Sequence, residues 1–141
     1  MTALTILIAD DEAMILRVLR LRLESAGYEV MTAPNGQVAL EIIRETPPDI
    51  LVTDIEMPMM TGEQLCNALL AEMPDRKFPI FVATSLTDLH HREWSKPIGN
   101  LHFLEKPLSV KRLTAALNEL GLSPDQNKSE QEKLEQTEPT A

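Results

Sequence analysis

Short apolar runs that alternate with segments of helical periodicity constrain the fold of this chain more than any other feature of its sequence. The apolar runs lie at residues 4–9, 28–33, 50–53, 79–85 and 101–104. Apolar positions with helical spacing follow at about 13–26, 38–43, 62–73 and 110–120, and residues 86–96 could form a further helix. Continuous apolar runs of this length are typical of strands that are buried on both faces. The alternation therefore predicts a three-layer, doubly wound α/β fold with a parallel sheet between two layers of helices.

The predicted fourth helix is the least regular element, because Pro97 ends or kinks it. This segment also carries His90, His91 and Trp94. Adjacent histidines on a helix point in different directions, and no third ligand is near in the sequence, so we interpret them as solvated polar residues rather than metal ligands. Trp94 fits two roles equally, an anchor for a partner protein or a cover for the core.

The composition predicts one domain with a tail. The chain has 141 residues, of which 43% are hydrophobic, and we assign residues 1–122 to the domain and 123–141 to a disordered acidic and polar tail. No apolar run approaches the roughly 20 residues that cross a bilayer, and the single cysteine, Cys66, fits a reducing compartment, so we expect a cytoplasmic protein. A net charge of −9 argues against non-specific binding of nucleic acid.

Charged and hydroxyl residues stand at the ends of four predicted strands. Asp10 and Asp11 follow the first strand, Asp54 the third, Thr84 lies near the end of the fourth, and Lys106 follows the fifth. In open α/β sheets the functional residues gather outside the carboxyl ends of the strands. We therefore expect these five side chains to meet in one cleft.

The residue types in this cleft indicate phosphate chemistry. Three carboxylates repel one another unless a cation lies among them, and hard oxygen ligands suit Mg²⁺. Such an ion offsets the charge of an incoming phosphate. Lys106 adds a positive charge for a phosphate oxygen, and Thr84 adds a hydrogen-bond donor. Asp54 is the candidate nucleophile, which would form an aspartyl phosphate.

Together these residues resemble the receiver domain of two-component response regulators. The resemblance rests on Asp10-Asp11, the run Asp-Ile-Glu-Met-Pro-Met-Met-Thr-Gly at 54–62, Thr84, and Phe-Leu-Glu-Lys-Pro at 103–107. The order and spacing of the family are kept from residue 4 to about 121. The resemblance implies the flavodoxin-like fold of CheY, with five β-α units and strand order 2-1-3-4-5. It also implies a signalling domain rather than an enzyme. The only reactions of such a domain would be its own phosphorylation and the slow autohydrolysis of its aspartyl phosphate.

The resemblance assigns a metal site and two tuning positions. Asp54 would be the phosphoacceptor and a ligand of Mg²⁺. Asp11 would bind the ion directly and Asp10 through a metal-bound water, while the backbone carbonyl of Glu56 would complete the protein ligands. Glu56 and Leu86 would occupy the two variable positions that tune the lifetime of the phosphate.

The resemblance also assigns the switch. Thr84 and Lys106 would contact the phosphoryl group, and Phe103 would be the aromatic residue that swings inward when Thr84 moves. The Lys106-Pro107 peptide bond would be cis.

The implied partners are proteins. A histidine kinase or histidine phosphotransfer protein would donate the phosphoryl group, and a downstream protein target would read the face formed by the predicted fourth helix, fifth strand and fifth helix. We expect a monomer or a phosphorylation-dependent dimer, with no direct contact to nucleic acid or membrane. No effector domain is recognisable after Leu122, which favours a stand-alone, CheY-like regulator or relay.

Two alternatives assign a different role to the chain. The chain could be the N-terminal receiver of a longer regulator, with a DNA-binding or enzymatic domain after the tail. It could instead be an aspartate-nucleophile phosphatase, because Glu56 stands where such enzymes carry a second aspartate. The short chain and the lack of a cap domain disfavour the phosphatase, and a receiver that is never phosphorylated is disfavoured because no member of the site is missing.

Overall fold

The computed structural model describes residues 3–85 and 92–124, which form a five-stranded parallel sheet. Its strands are β1 (Thr5–Ala9), β2 (Glu29–Ala33), β3 (Ile50–Asp54), β4 (Ile80–Thr84) and β5 (Leu101–Glu105). The strand order is β2-β1-β3-β4-β5, and every neighbouring pair is parallel. The predicted fold class and strand order are confirmed.

Within the described residues, four α-helices connect or follow the strands. They are α1 (Ala13–Ser25), α2 (Gly36–Glu45), α3 (Gly62–Glu72) and α4 (Val110–Glu119). Strand residues alternate between the two faces of the sheet, so neighbours such as Ile6 and Leu7 belong to different cores. One core packs α1 and α4 against the sheet, and the other packs α2 and α3 against the opposite face. The three layers that the sequence predicted are present.

The segment between β4 and β5 departs from the predicted helix at 86–96. Residues 86–91 lie outside the described residues, and the described remainder forms a single 3-10 turn, Glu93–Ser95. The Ser95 hydroxyl donates to the carbonyl of Arg92 at 2.6 Å, a local bond that competes with a longer helix. Pro97 follows two residues later and has no N–H to continue helical bonding. Over 92–96 the prediction of an α-helix was therefore wrong.

The first residues of the predicted tail contact the domain. The Tyr28 hydroxyl donates to the carbonyl of Leu122 at 2.8 Å, and Ser123 is buried. The rest of the predicted tail, from residue 125, lies outside the described residues, and the boundary at 122 stays a prediction. Among the helices that the structure describes, none is long and apolar enough to cross a membrane.

Gly62 allows α3 to begin directly against the end of β3. A Cβ at this position would lie 2.1 Å from the backbone oxygen of Asp54, so a side chain there would push α3 away from the strand. We expect Gly62→Ala to lower the free energy of unfolding by about 1–3 kcal/mol, measured by urea denaturation. Gly99→Ala is the matched control, because a Cβ there would have no neighbour within 4 Å. Equal losses in both variants would contradict this explanation.

Candidate functional site

Asp54 is the last residue of β3 and is only 6% exposed. Its Oδ1 accepts a hydrogen bond from the backbone N–H of Ile55 at 2.8 Å. The same oxygen lies 2.7 Å from Nζ of Lys106. The predicted nucleophile therefore lies at the carboxyl edge of the sheet, where one backbone donor and one cation contact its carboxylate.

Lys106 follows β5, and its backbone continues the parallel pairing with β4. Its N–H donates to the carbonyl of Thr84 at 2.8 Å. This hydrogen bond fixes the position of the Lys106 backbone, from which the side chain extends. The peptide bond between Lys106 and Pro107 is cis, as the resemblance implied. Burial alone would lower the pKa of Lys106, but the hydrogen bond and charge of Asp54 outweigh it and raise the pKa above its ordinary value of 10.5. Lys106 is therefore cationic throughout the neutral range.

The three predicted acids meet beside this ion pair. One carboxylate oxygen from each of Asp10, Asp11 and Asp54 lies within 4.8 Å of the other two. Asp10 is buried and Asp11 is exposed, so the cluster opens to solvent on one side. Burial raises the pKa of Asp10, a hydrogen bond from the backbone N–H of Glu12 opposes this, and the charge of Asp54 adds to the increase.

The donor set of the cluster fits a hard divalent cation. All three side chains offer carboxylate oxygens, which are the ligands that Mg²⁺ and Ca²⁺ prefer. Lys106 is a cation already close to these charges, and its Nζ contacts Oδ1 of Asp54. Glu56, whose carbonyl is the predicted fourth ligand, is exposed in the loop after β3. Its role as a ligand stays a prediction.

Thr84 and Phe103, the two predicted switch residues, lie on neighbouring strands. Thr84 is the buried last residue of β4, and its hydroxyl donates to the carbonyl of Ser85 at 3.2 Å. Phe103 is half-buried on β5, opposite Val82 of β4. Thr84 therefore stands at the carboxyl end of β4, whereas Phe103 lies at the middle of the adjacent strand β5, and their movement stays a prediction.

Phe103 has two neighbours that the sequence reasoning did not assign to it. The guanidinium carbon of Arg92 lies 4.2 Å from the centre of its ring, within cation–π range. The ring of Trp94 meets it edge-on, with centroids 6.1 Å apart. Trp94 is half-buried against the core, so it covers Phe103 in this structure. Leu86, His90 and His91 lie outside the described residues.

A cavity of about 540 Å³ opens next to the ion pair. Its charged lining residues are Asp10, Glu12 and Lys106, and its apolar walls include Ile15 and Leu108. The cavity gives a small molecule access to the charged groups at the sheet edge.

The buried charge of Asp10 should lower the stability of the metal-free protein, and repulsion from Asp54 should add to the effect of burial. We expect Asp10→Asn to raise the free energy of unfolding in EDTA at pH 7 by about 1–2 kcal/mol, because the variant no longer buries a charge. Its amide oxygen can still accept the hydrogen bond from Glu12. Urea denaturation across a pH series measures the difference.

The pH dependence of this gain has a defined sign. The folded protein holds the pKa of Asp10 above its ordinary value of 3.8, so wild-type stability is lost as the pH rises through the folded pKa. The gain from Asp10→Asn should therefore be small near pH 3.8 and grow towards neutral pH. Asp11→Asn is the control and should gain less, because Asp11 is exposed. A loss of stability in Asp10→Asn at pH 7 would contradict the prediction.

The fold and the charged sheet edge define a class, the CheY-like α/β domains, and comparison with known proteins names the family. The chain belongs to the response regulator receiver domain family, whose model matches residues 6–118. The chemotaxis response regulator CheY4 of Vibrio cholerae superposes with a TM-score of 0.75 at 30% identity, covering 84% of this chain and 98% of that protein.

Curated relatives are longer proteins. The probable transcriptional regulator ycf27 of Galdieria sulphuraria is 38% identical over 112 residues, which are 79% of this chain and 43% of the relative. The alkaline phosphatase synthesis transcriptional regulatory protein PhoP of Bacillus subtilis is 31% identical, over 78% of this chain and 45% of the relative. The chain thus spans less than half the length of these regulators.

Proposed function

We propose that this receiver domain accepts a phosphoryl group on Asp54 from the phosphohistidine of a histidine kinase or histidine phosphotransfer protein. The observation that carries the proposal is the environment of Asp54. Its buried carboxylate contacts Lys106 at 2.7 Å and lies within 4.8 Å of two further carboxylates. This combination of nucleophile, fixed cation and acidic cluster suits phosphoryl transfer to a carboxylate.

In the transfer, a carboxylate oxygen of Asp54 forms a bond to phosphorus while the bond from phosphorus to the histidine nitrogen breaks. The electron pair of the broken bond returns to the imidazole, which leaves as neutral histidine after its other nitrogen has been protonated. Lys106 is placed to hold a phosphoryl oxygen as negative charge shifts onto it. Asp10, Asp11, Asp54 and the carbonyl of Glu56 would hold Mg²⁺, which neutralises charge on the phosphoryl group when bound.

The phosphorylated state would be read by a protein target. Thr84 and Phe103 lie on the adjacent strands β4 and β5, which supports a switch in which the hydroxyl turns towards the phosphoryl group and the ring follows. The output face would comprise residues from about 86 to 96, β5 and α4. Glu56 and Leu86 would tune the lifetime of the aspartyl phosphate, and slow autohydrolysis would return the domain to its resting state.

The proposal includes the location, organisation and oligomeric state of the protein. We assign the protein to the cytoplasm, as a signalling domain and not a turnover enzyme, with residues 123–141 as a polar tail. It would act as a monomer or as a dimer formed on phosphorylation. A second candidate is the receiver of a longer transcriptional regulator, which is favoured by curated relatives more than twice the length of the matched region. A DNA-binding domain encoded after Ala141 would establish that candidate.

Phosphosite mapping tests the proposal directly. The wild-type protein is incubated with acetyl phosphate, with Mg²⁺ in one arm and EDTA in the other, and the acyl phosphate is reduced with borohydride and located by mass spectrometry. We expect modification at Asp54 in the Mg²⁺ arm only, at no more than one phosphoryl group per chain. Modification elsewhere, or none with Mg²⁺, would overturn the proposal. Sustained release of phosphate from simple esters would favour the phosphatase alternative.

A further inference from the structure

The loop that carries Glu56 contacts a part of the chain that none of the site motifs includes. This contact surface is the junction between β2 and α2, residues 33–36, which we call the β2–α2 junction. The backbone N–H of Gly36 donates to the carbonyl of Met60 at 3.0 Å. The side-chain amide of Asn35 donates to Sδ of Met59 at 3.5 Å.

The orientation of Asn35 follows from its role at the start of α2. Its Oδ1 accepts the backbone N–H of Val38 at 2.9 Å, which caps the helix. Since the amide oxygen faces Val38, the NH₂ group faces Met59. Asn35 is only 7% exposed, so one buried side chain joins the helix cap to the loop after β3.

Met59 needs such support because its backbone is strained. Its φ of 67° lies in the left-handed region, which costs a residue with a side chain roughly 1–2 kcal/mol. Its side chain is 81% exposed, so core packing does not hold it in place. The described polar contacts at this point of the loop are the bond from Asn35, a bond from the backbone N–H of Met60 to the carbonyl of Pro58 at 2.7 Å, and the bond from Gly36 to Met60, so two of the three come from the β2–α2 junction.

Gly36 also fits tightly against the loop. A Cβ at Gly36 would lie 2.6 Å from the backbone oxygen of Met60 and 2.9 Å from its Cγ. The same junction reaches the acidic cluster from its other end, since the carbonyl of Ala33 accepts the backbone N–H of Asp10 at 3.0 Å. Through Ala33, Asn35 and Gly36, the β2–α2 junction therefore contacts both the residue after β1 and the loop that follows Asp54.

We propose that the β2–α2 junction positions the loop 55–61 relative to Asp10, and that Asn35 and Gly36 thereby set the affinity of the acidic cluster for Mg²⁺. Asn35 and Gly36 are positioning residues, because they bind neither the ion nor the phosphoryl group. The inference rests on the proposed function, in which Asp10 and the carbonyl of Glu56 serve the same ion. Groups that orient metal ligands typically alter metal affinity by about 10–100-fold, and this more distant pair should act at or below the low end.

A double-mutant cycle with calorimetric titration of Mg²⁺ tests the Asn35–Met59 contact. Asn35→Ser keeps a cap acceptor and removes the amide donor, and Met59→Leu removes the sulfur at similar volume. We expect each variant to raise the Mg²⁺ dissociation constant about threefold, and the double variant to raise it no further. Phosphorylation by acetyl phosphate should recover at saturating Mg²⁺. The melting temperature of each variant in EDTA is the control. A value below that of the wild type would indicate that the substitution destabilises the metal-free fold.

Gly36→Ala should displace the loop 55–61 further and raise the Mg²⁺ dissociation constant about tenfold. Gly99→Ala is its matched control, and we expect no change in the dissociation constant there. If Gly36→Ala does not fold, the Asn35–Met59 cycle decides alone. Dissociation constants equal to that of the wild type in Asn35→Ser and Met59→Leu would overturn this inference only. A wild-type protein that binds no Mg²⁺ would overturn the proposed function as well.

Discussion

Asp54→Asn should abolish phosphorylation by acetyl phosphate in the presence of Mg²⁺. An amide oxygen is a far weaker nucleophile than a carboxylate oxygen, and the variant also loses one of the three charges of the acidic cluster. The substitution keeps the shape of the side chain, and the amide oxygen can still accept the N–H of Ile55. Labelling with radioactive acetyl phosphate, followed over time, measures the result.

Asp49→Asn is the matched control for this loss. Asp49 precedes the same strand at its amino end and is exposed, with Oδ2 accepting the backbone N–H of Thr5 at 2.8 Å. An asparagine there can keep this bond, so labelling should match the wild type. Both variants should show the circular dichroism spectrum of the wild type. Labelling of Asp54→Asn at the wild-type rate would remove the basis of the proposed function.

The convergence of the site residues could be predicted because parallel strands place their carboxyl ends at one edge. The sheet register pairs Ala9 with Thr53 and Ala83 with Asp54, so the residues that follow β1 lie beside the end of β3. Thr84 is paired with Glu105, and Lys106 is the next residue. Each strand could be recognised locally as an apolar run, and the topology then determined which strand ends are neighbours.

The contacts around Phe103 could not be predicted in the same way. Arg92 lies in a segment without periodicity, eleven residues before Phe103, and its place over the ring depends on the path of the chain between them. The prediction of a helix at 86–96 took no account of the local bond between Ser95 and Arg92. Periodicity reports which residues suit a helix, but it does not report side-chain bonds that favour a single turn.

Asn35 and Gly36 were recognised in the sequence only as a turn. Their local role, capping α2, follows from residue type. Their contact with Met59 and Met60 links segments 24 residues apart and requires the packed structure. Residues that react could therefore be identified from chemistry and spacing, whereas residues that hold a loop in place became visible only through tertiary contacts.

Lys106→Met should slow phosphorylation by acetyl phosphate about 100-fold at saturating Mg²⁺. Removing one fixed charge or donor that stabilises developing negative charge typically costs 10²–10³-fold in rate, or roughly 3–4 kcal/mol. Methionine keeps an unbranched side chain of similar length and removes the ammonium group that lies 2.7 Å from Asp54. The rate constants of labelling, compared at several concentrations of acetyl phosphate, give the effect.

The pH profile and a second lysine separate this role from a general loss of positive charge. Asp54 holds the pKa of Lys106 above 10.5. The contribution of the Lys106 charge to the rate is therefore fully present at lower pH and is lost only as the pH rises through that raised pKa. The defect of Lys106→Met should therefore be the same from pH 6 to about pH 9. Lys111→Met removes an exposed lysine in the first turn of α4 and should keep the wild-type rate. Equal defects in both variants would show that net charge, and not the contact with Asp54, controls the reaction.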